Sequence, residues 1–156
     1  MALHEDSADL LQELIEEVVD ALGLDAEVEV DADGDEALNA VVRGEDVGLF
    51  IGRHGQTIDA VQHLAQRIVL ADYDGRGPRV TVDAAGYRAR REEALQRVAD
   101  DAADEAVRAA RAVHLEAMPA AERRLVHEHL RERGDVETHS EGDEPHRHLV
   151  VEPLQG

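Results

Sequence analysis

The sequence predicts an α+β protein built as two lobes, residues 8–84 and 85–153. Apolar residues recur at helical spacing in some stretches and alternate with polar ones in others. That mixed pattern occurs twice, on either side of Ala84-Ala85-Gly86. No stretch approaches the roughly 18 consecutive apolar residues that a membrane-spanning helix needs, so no span is expected.

The first lobe opens with a helix. Leu11, Ile15, Val18 and Leu22, with Leu14 beside them, form its apolar stripe. Ser7 is expected to cap it, Asp9 to lie in its first turn and Gly23 to end it. Val28, Val30 and Ala32 then alternate with Glu27, Glu29 and Asp31 as a half-buried strand. Asp33-Gly34-Asp35 turns the chain into a second strand, Ala37 to Arg43, closed by Gly44. A short apolar helical turn spans 46–52 and is interrupted by Gly52-Arg53-His54-Gly55. Ile58, Val61, Ala65, Ile68 and Val69 mark a further helix to about Ala71. A glycine- and proline-bearing loop, Asp72 to Pro78, leads to a third strand carrying Val80 and Val82.

The second lobe begins with a long helix whose stripe reads Leu95, Val98, Ala102, Ala106, Ala109 and Val113. Its small residues permit close approach of neighbouring elements. Residues 113–117 suggest a short strand. Pro119 suits the first turn of another helix, running to Arg133 and stopping at Gly134. Val136 to Ser140 and Arg147 to Glu152 read as two strands, joined through Glu141 to Pro145.

Composition excludes several chemistries. The chain of 156 residues has 16 basic side chains, all arginine, against 36 carboxylates, a formal charge of −20. It has no cysteine, so disulfides, thiolate catalysis and cysteine-zinc sites are excluded. No nucleophile elbow, phosphate-binding lysine or dinucleotide fingerprint occurs, and no catalytic residue or cofactor is expected. Three aromatics, Phe50, Tyr73 and Tyr87, are too few for a base-stacking platform. A charge of −20 opposes nucleic acid, but it is unevenly placed. Residues 1–42 hold fourteen carboxylates and no arginine, whereas residues 43–97 hold nine arginines against eight carboxylates. Charges more than about 8 Å apart are largely screened at physiological salt, so a local cationic site in the middle remains feasible.

That middle stretch holds the most specific motif, Leu49-Phe50-Ile51-Gly52-Arg53-His54-Gly55-Gln56-Thr57-Ile58. Glycines lack the Cβ that would keep a phosphodiester chain at a distance. A helix starting at the loop directs free amides toward it. Arg53 is a fork-shaped phosphate donor, and His54 is a potential cation. Ile51 and Ile58 flank the loop and suit the floor of a base groove. In its element order this region resembles a KH domain of the type II, bacterial arrangement. KH domains clamp about four nucleotides of single-stranded nucleic acid at this loop. The resemblance implies that Gly52, Arg53, His54 and Gly55 contact the sugar-phosphate backbone and that Ile51 and Ile58 line the groove. His54 departs from the permanent cation often found there.

In the second lobe, Arg123 and His127 stand four apart and share one helical face. Their surroundings, Met118-Pro119-Ala120-Ala121-Glu122-Arg123-Arg124 and Asp135 through Val150, resemble an R-three-H domain, a small antiparallel sheet with helices. With Tyr87-Arg88-Ala89-Arg90-Arg91-Glu92-Glu93 at the junction, residues 8–153 are similar to the bacterial Jag (SpoIIIJ-associated, KhpB-type) family. This resemblance implies a cytoplasmic, non-enzymatic RNA-binding protein linked to cell elongation and division. Its partners would be single-stranded RNA, with single-stranded DNA not distinguished by the residues, and a small KH-protein partner or a second copy of the chain. Arg123, His127 and Arg147 carry over as the second lobe's nucleic-acid contacts. His148 stands where relatives often have a second arginine. Many relatives carry a further N-terminal domain, which this chain starts too close to its KH helix to be expected to have.

Two other readings compete. Nine histidines invite a metal site, but His127 and His129 are two apart on a helix and face apart. Only His146 and His148, on a strand, would share a face; no metal is expected. The alternative function is an acidic protein-protein interaction module whose lobes dock partners and not RNA.

Overall fold

A computed structural model describes residues 2–154 and divides the chain into two compact units, Met1–Arg88 and Ala89–Gly156. In the first unit the order is α1 (Ala2–Ala21), β1 (Ala26–Asp33), β2 (Ala37–Gly44), α2 (Gly48–Ile51), α3 (Gln56–Leu70) and β3 (Arg79–Ala84). The sheet order is β1-β2-β3. β1 and β2 form the expected hairpin, Ala26 opposite Gly44 and Asp33 opposite Ala37, while β3 lies parallel to β2.

Alternation in β2 sends Leu38, Ala40 and Val42 inward, and β3 adds Val80, Val82 and Ala84. Leu11, Ile15 and Val19 of α1 and Ile58, Val61, Ala65 and Val69 of α3 cover that face, with Phe50 of α2 completely buried among them. Each such large apolar side chain contributes about 1.5–3 kcal/mol of burial. The opposite face stays polar, where Thr81 donates to Asn39 (2.5 Å) across the parallel pair.

The helix α1 starts well before Ser7, so Ser7 is not its cap. Ser7 lies within the helix, one turn ahead of Leu11, nearly buried, with its hydroxyl 3.0 Å from that of Tyr73. The carboxylate in the first turn is Glu5, not Asp9. Val19 takes the central position expected of Val18, which is only half-buried, and Ala32 is exposed.

The outer edge of β3 is closed by side chains. Gln66 accepts from the Val80 amide (2.7 Å) and donates to the Pro78 carbonyl (3.0 Å). Gln62 accepts from the Val82 amide (2.9 Å), and Arg88 donates to the Val82 carbonyl (2.8 Å). A bare edge would invite pairing with another chain; here two glutamines one turn apart on α3 occupy it.

The second unit contains most of α4 (Tyr87–Ala109), then β4 (Val113–His114), α5 (Ala120–Arg131), β5 (Val136–Glu141) and β6 (His148–Pro153). Its sheet is wholly antiparallel, ordered β4-β6-β5. The buried stripe of α4 is Leu95, Ala99, Ala102, Ala103 and Ala106. It is rotated from the expected one, since Val98 is exposed and Val113 belongs to a strand. Against it pack Met118, Val126, Leu130, Val136, Leu149 and Val151. The last strand begins at His148, leaving Arg147 just outside it.

Candidate nucleic-acid interface

The glycine loop of the first unit is fixed by backbone geometry. Gly52 has φ 74° and ψ 176°, a region essentially reserved for glycine. A Cβ there would clash with Thr57 Oγ1 and lie 2.8 Å from the Thr57 amide nitrogen. Gly55, at φ 77°, is buried, and a Cβ would meet the Tyr87 hydroxyl oxygen at 2.8 Å. Both glycines are therefore required by close approach as well as by φ.

Between them the chain turns outward. Arg53 is exposed, and among the described residues it makes no ion pair. His54 is half-buried with φ 54°, a left-handed conformation that costs a non-glycine residue about 1–2 kcal/mol. α3 starts directly after the loop with Gly55 as its N-cap and no side-chain cap, so its first amides face the same side as the loop. An exposed arginine, an imidazole and an uncapped helix start make a site suited to phosphate.

The expected apolar floor divides. Ile51 is half-buried beside the loop, but Ile58 is completely buried in the core. Ile58 supports the loop from below and offers no surface to a base. Leu49, 65% exposed on α2, is the open aliphatic residue preceding the loop. Sequence spacing shows Leu49 and Ile58 flanking the glycines but not which one faces outward.

In the second unit, Arg123, His127 and Arg147 line one concavity of about 430 Å³, together with Arg124, Thr138 and Leu149. The expected trio is thus brought together, but the two arginines point their hydrogen bonds inward. Arg123 is 8% exposed. It donates to the Met118 carbonyl (2.7 Å) and to Glu144 (2.5 Å), with a longer contact to the Arg147 carbonyl (3.5 Å). Arg147 donates to the carbonyls of Gly142 (2.8 Å) and Ser140 (3.4 Å). His127 is exposed, its Nδ1 hydrogen-bonded to the Thr138 hydroxyl. Arg124, exposed and held by Glu128 (2.9 Å), is the cation at this rim that the paired Arg-His spacing passes over.

The hydrogen bond from Arg123 holds the Glu144 carboxyl below the usual carboxylate range, with burial opposing it. A carboxyl depressed in the folded state stabilises above its unfolded value, and that contribution is lost as pH falls through the lower folded value. Wild type is therefore expected to lose more stability than Glu144→Gln between about pH 5 and pH 3. Urea midpoints at both pH values check this; equal losses would show that the pair contributes nothing.

A mixed three-stranded sheet with a glycine loop between two helices, followed by a helix-backed antiparallel sheet with a buried arginine and a histidine one turn on, defines a protein with a KH domain and an R-three-H domain in tandem. The chain carries both domains, in that order. Residues 9–82 match the KH domain of KhpA/KhpB, and residues 93–153 match the R-three-H domain. Three curated relatives share the name RNA-binding protein KhpB. The protein from Clostridium symbiosum is 36% identical over 143 residues, 89% of this chain and 63% of its own length. The protein from Lactiplantibacillus plantarum is 36% identical over 150 residues, 96% of this chain and 46% of its own. The protein from Bacillus subtilis is 38% identical over 112 residues, 70% of this chain and 53% of its own. The chain thus spans about half the length of the relatives it matches. No helix among the described residues is long and apolar enough to cross a membrane.

Proposed function

We propose that this chain binds single-stranded RNA without catalysing a reaction, with the first unit's glycine loop as the primary contact. The observation that carries this reading is Arg53, exposed and unpaired among the described residues, beside an uncapped helix start in a loop that two glycines hold open. Gly52, Arg53, His54 and Gly55 contact the sugar-phosphate backbone, and Ile51 contributes apolar surface. In the second unit His127 is the direct contact, while Arg123 and Arg147 shape the concavity it faces. RNA is favoured over single-stranded DNA because the matched relatives are named as RNA-binding proteins. A cytoplasmic location follows from that reading.

Fluorescence anisotropy with a short single-stranded RNA tests it. Wild type should bind, and an Arg53→Asp, His54→Asp double variant should bind at least about tenfold more weakly, because two phosphate contacts become repulsions. With about two phosphates engaged, the logarithm of affinity should fall against that of salt with a slope near −1.4. Equal binding by wild type and double variant at low salt would sink the loop assignment. Recovery of proteins only, with RNA ignored, would favour the acidic interaction module.

A further inference from the structure

The outer face of the second sheet gathers side chains that neither the glycine loop nor the concavity uses. Antiparallel pairing puts directly opposed residues on the same face. Glu141 lies opposite His148, and His114 lies opposite Val150, two residues along from His148. His114 of β4, His148 of β6 and Glu141 of β5 therefore share one face, although they come from three separate strands.

Their donor atoms converge, all within 4.8 Å of one another. His114 Nδ1 lies 3.1 Å from His148 Nε2. Two ligands of a tetrahedral zinc ion, each at about 2.0–2.1 Å, are separated by about 3.3 Å. The histidine pair thus already has the spacing of one edge of such a site. His114 and Glu141 are exposed and His148 is half-buried, so an ion can reach them.

The surroundings orient the ligands. His148 Nδ1 contacts the His146 carbonyl (3.3 Å), which favours the tautomer with the proton on Nδ1 and the lone pair of Nε2 turned toward His114. Glu141 accepts from His139 Nε2 (2.9 Å), an outer partner that steadies the carboxylate and leaves its second oxygen available. That hydrogen bond is the main cause holding the Glu141 carboxyl below its ordinary value, with burial opposing it. In the ion-free protein a proton must lie between the two facing imidazole nitrogens. A metal ion takes that place, and the proton moves to Nε2 of His114.

We propose that His114, His148 and Glu141 form a binding site for a divalent transition metal, with zinc the best fit and water completing the coordination. Two imidazoles and one carboxylate suit zinc, whereas magnesium prefers an all-oxygen octahedron. The pair His146 and His148, which strand alternation in the sequence suggests, is not the site. His146 lies outside the strand, and its carbonyl orients His148.

The test is calorimetric titration of the chelator-treated full chain with zinc chloride, and separately with magnesium chloride. One zinc should bind per chain at this site, and magnesium should bind far more weakly. His114→Ala and His148→Ala should each weaken zinc by about tenfold or more, while His63→Ala, on the exposed face of α3, should not. Cobalt(II) should give the visible absorption of four-coordinate geometry in wild type and lose it in His148→Ala. Should either alanine variant fail to fold, imidazole nitrogen chemical shifts of wild type decide instead: zinc should move His114 and His148 first. Zinc affinity unchanged in His148→Ala, equal affinity for magnesium, or shifts confined to other histidines would overturn the proposal.

Discussion

Gly52→Ala is expected to destabilise the first unit by about 3 kcal/mol and to abolish RNA binding with it. Two costs add. The backbone at φ 74° and ψ 176° is closed to residues with a Cβ, a strain of about 1–3 kcal/mol. The new methyl would also press on Thr57, whose hydroxyl can rotate away but whose amide nitrogen, at 2.8 Å, is part of α3 and cannot. Overpacking of that kind costs about 1–3 kcal/mol. In a unit of this size each kcal/mol lowers the melting temperature by about 4–8 °C, so a drop well above about 10 °C is expected. Gly34→Ala is the matched comparison. Gly34 also has positive φ, 54°, but nothing lies within 4 Å of its would-be Cβ. It should lose only the left-handed penalty, about 1 kcal/mol. Equal losses for the two variants, measured by urea unfolding, would show that the Thr57 contact is unimportant.

Arg123→Ala should destabilise the second unit by about 2–4 kcal/mol, through the two costs that follow, and its effect on RNA binding should track that loss of fold. The side chain is nearly buried, and its removal leaves a void and deprives the Met118 carbonyl of its donor. A buried acceptor without its partner costs about 1–3 kcal/mol, and lost packing adds to it. Arg123→Lys should be nearly as damaging, because one ammonium cannot reach Met118 and Glu144 together in the fork geometry. Arg124→Ala, at the same rim but largely exposed, should leave the urea midpoint almost unchanged, since a solvent-screened pair holds little. Urea unfolding of the three variants separates the cases. If Arg123→Ala folds as stably as wild type yet loses RNA, Arg123 is a direct contact and the structural role assigned to it is wrong.

These two expectations mark where residue patterns were informative and where they were not. Apart from the start of α1, periodicity placed the helices and strands within a few residues, since a 3.6-residue stripe and a two-residue alternation are local properties. It was less reliable about rotation. On α4, Val98 fits the apolar spacing as well as Ala99 does, yet Ala99 is completely buried and Val98 is 48% exposed. On α1, Ser7 has the chemistry of a cap, but residues before it extend the helix, and its hydroxyl shares a hydrogen bond with that of Tyr73, far along the chain. Gln62 and Gln66 read as an ordinary polar face; only the folded arrangement places them against the unpaired edge of β3.

Local residue patterns alone established the α+β class, the order of elements, the two-part organisation and the glycine loop with Arg53 and His54. Each depends on residues near one another in the chain. Which candidates face outward was settled by long-range packing. Ile58 sank into the core, Arg123 turned inward to bind carbonyls, and Arg53 stayed open. The same packing gathered His114, Glu141 and His148 from three strands, because strand pairing and register are set across the whole unit and not by local spacing.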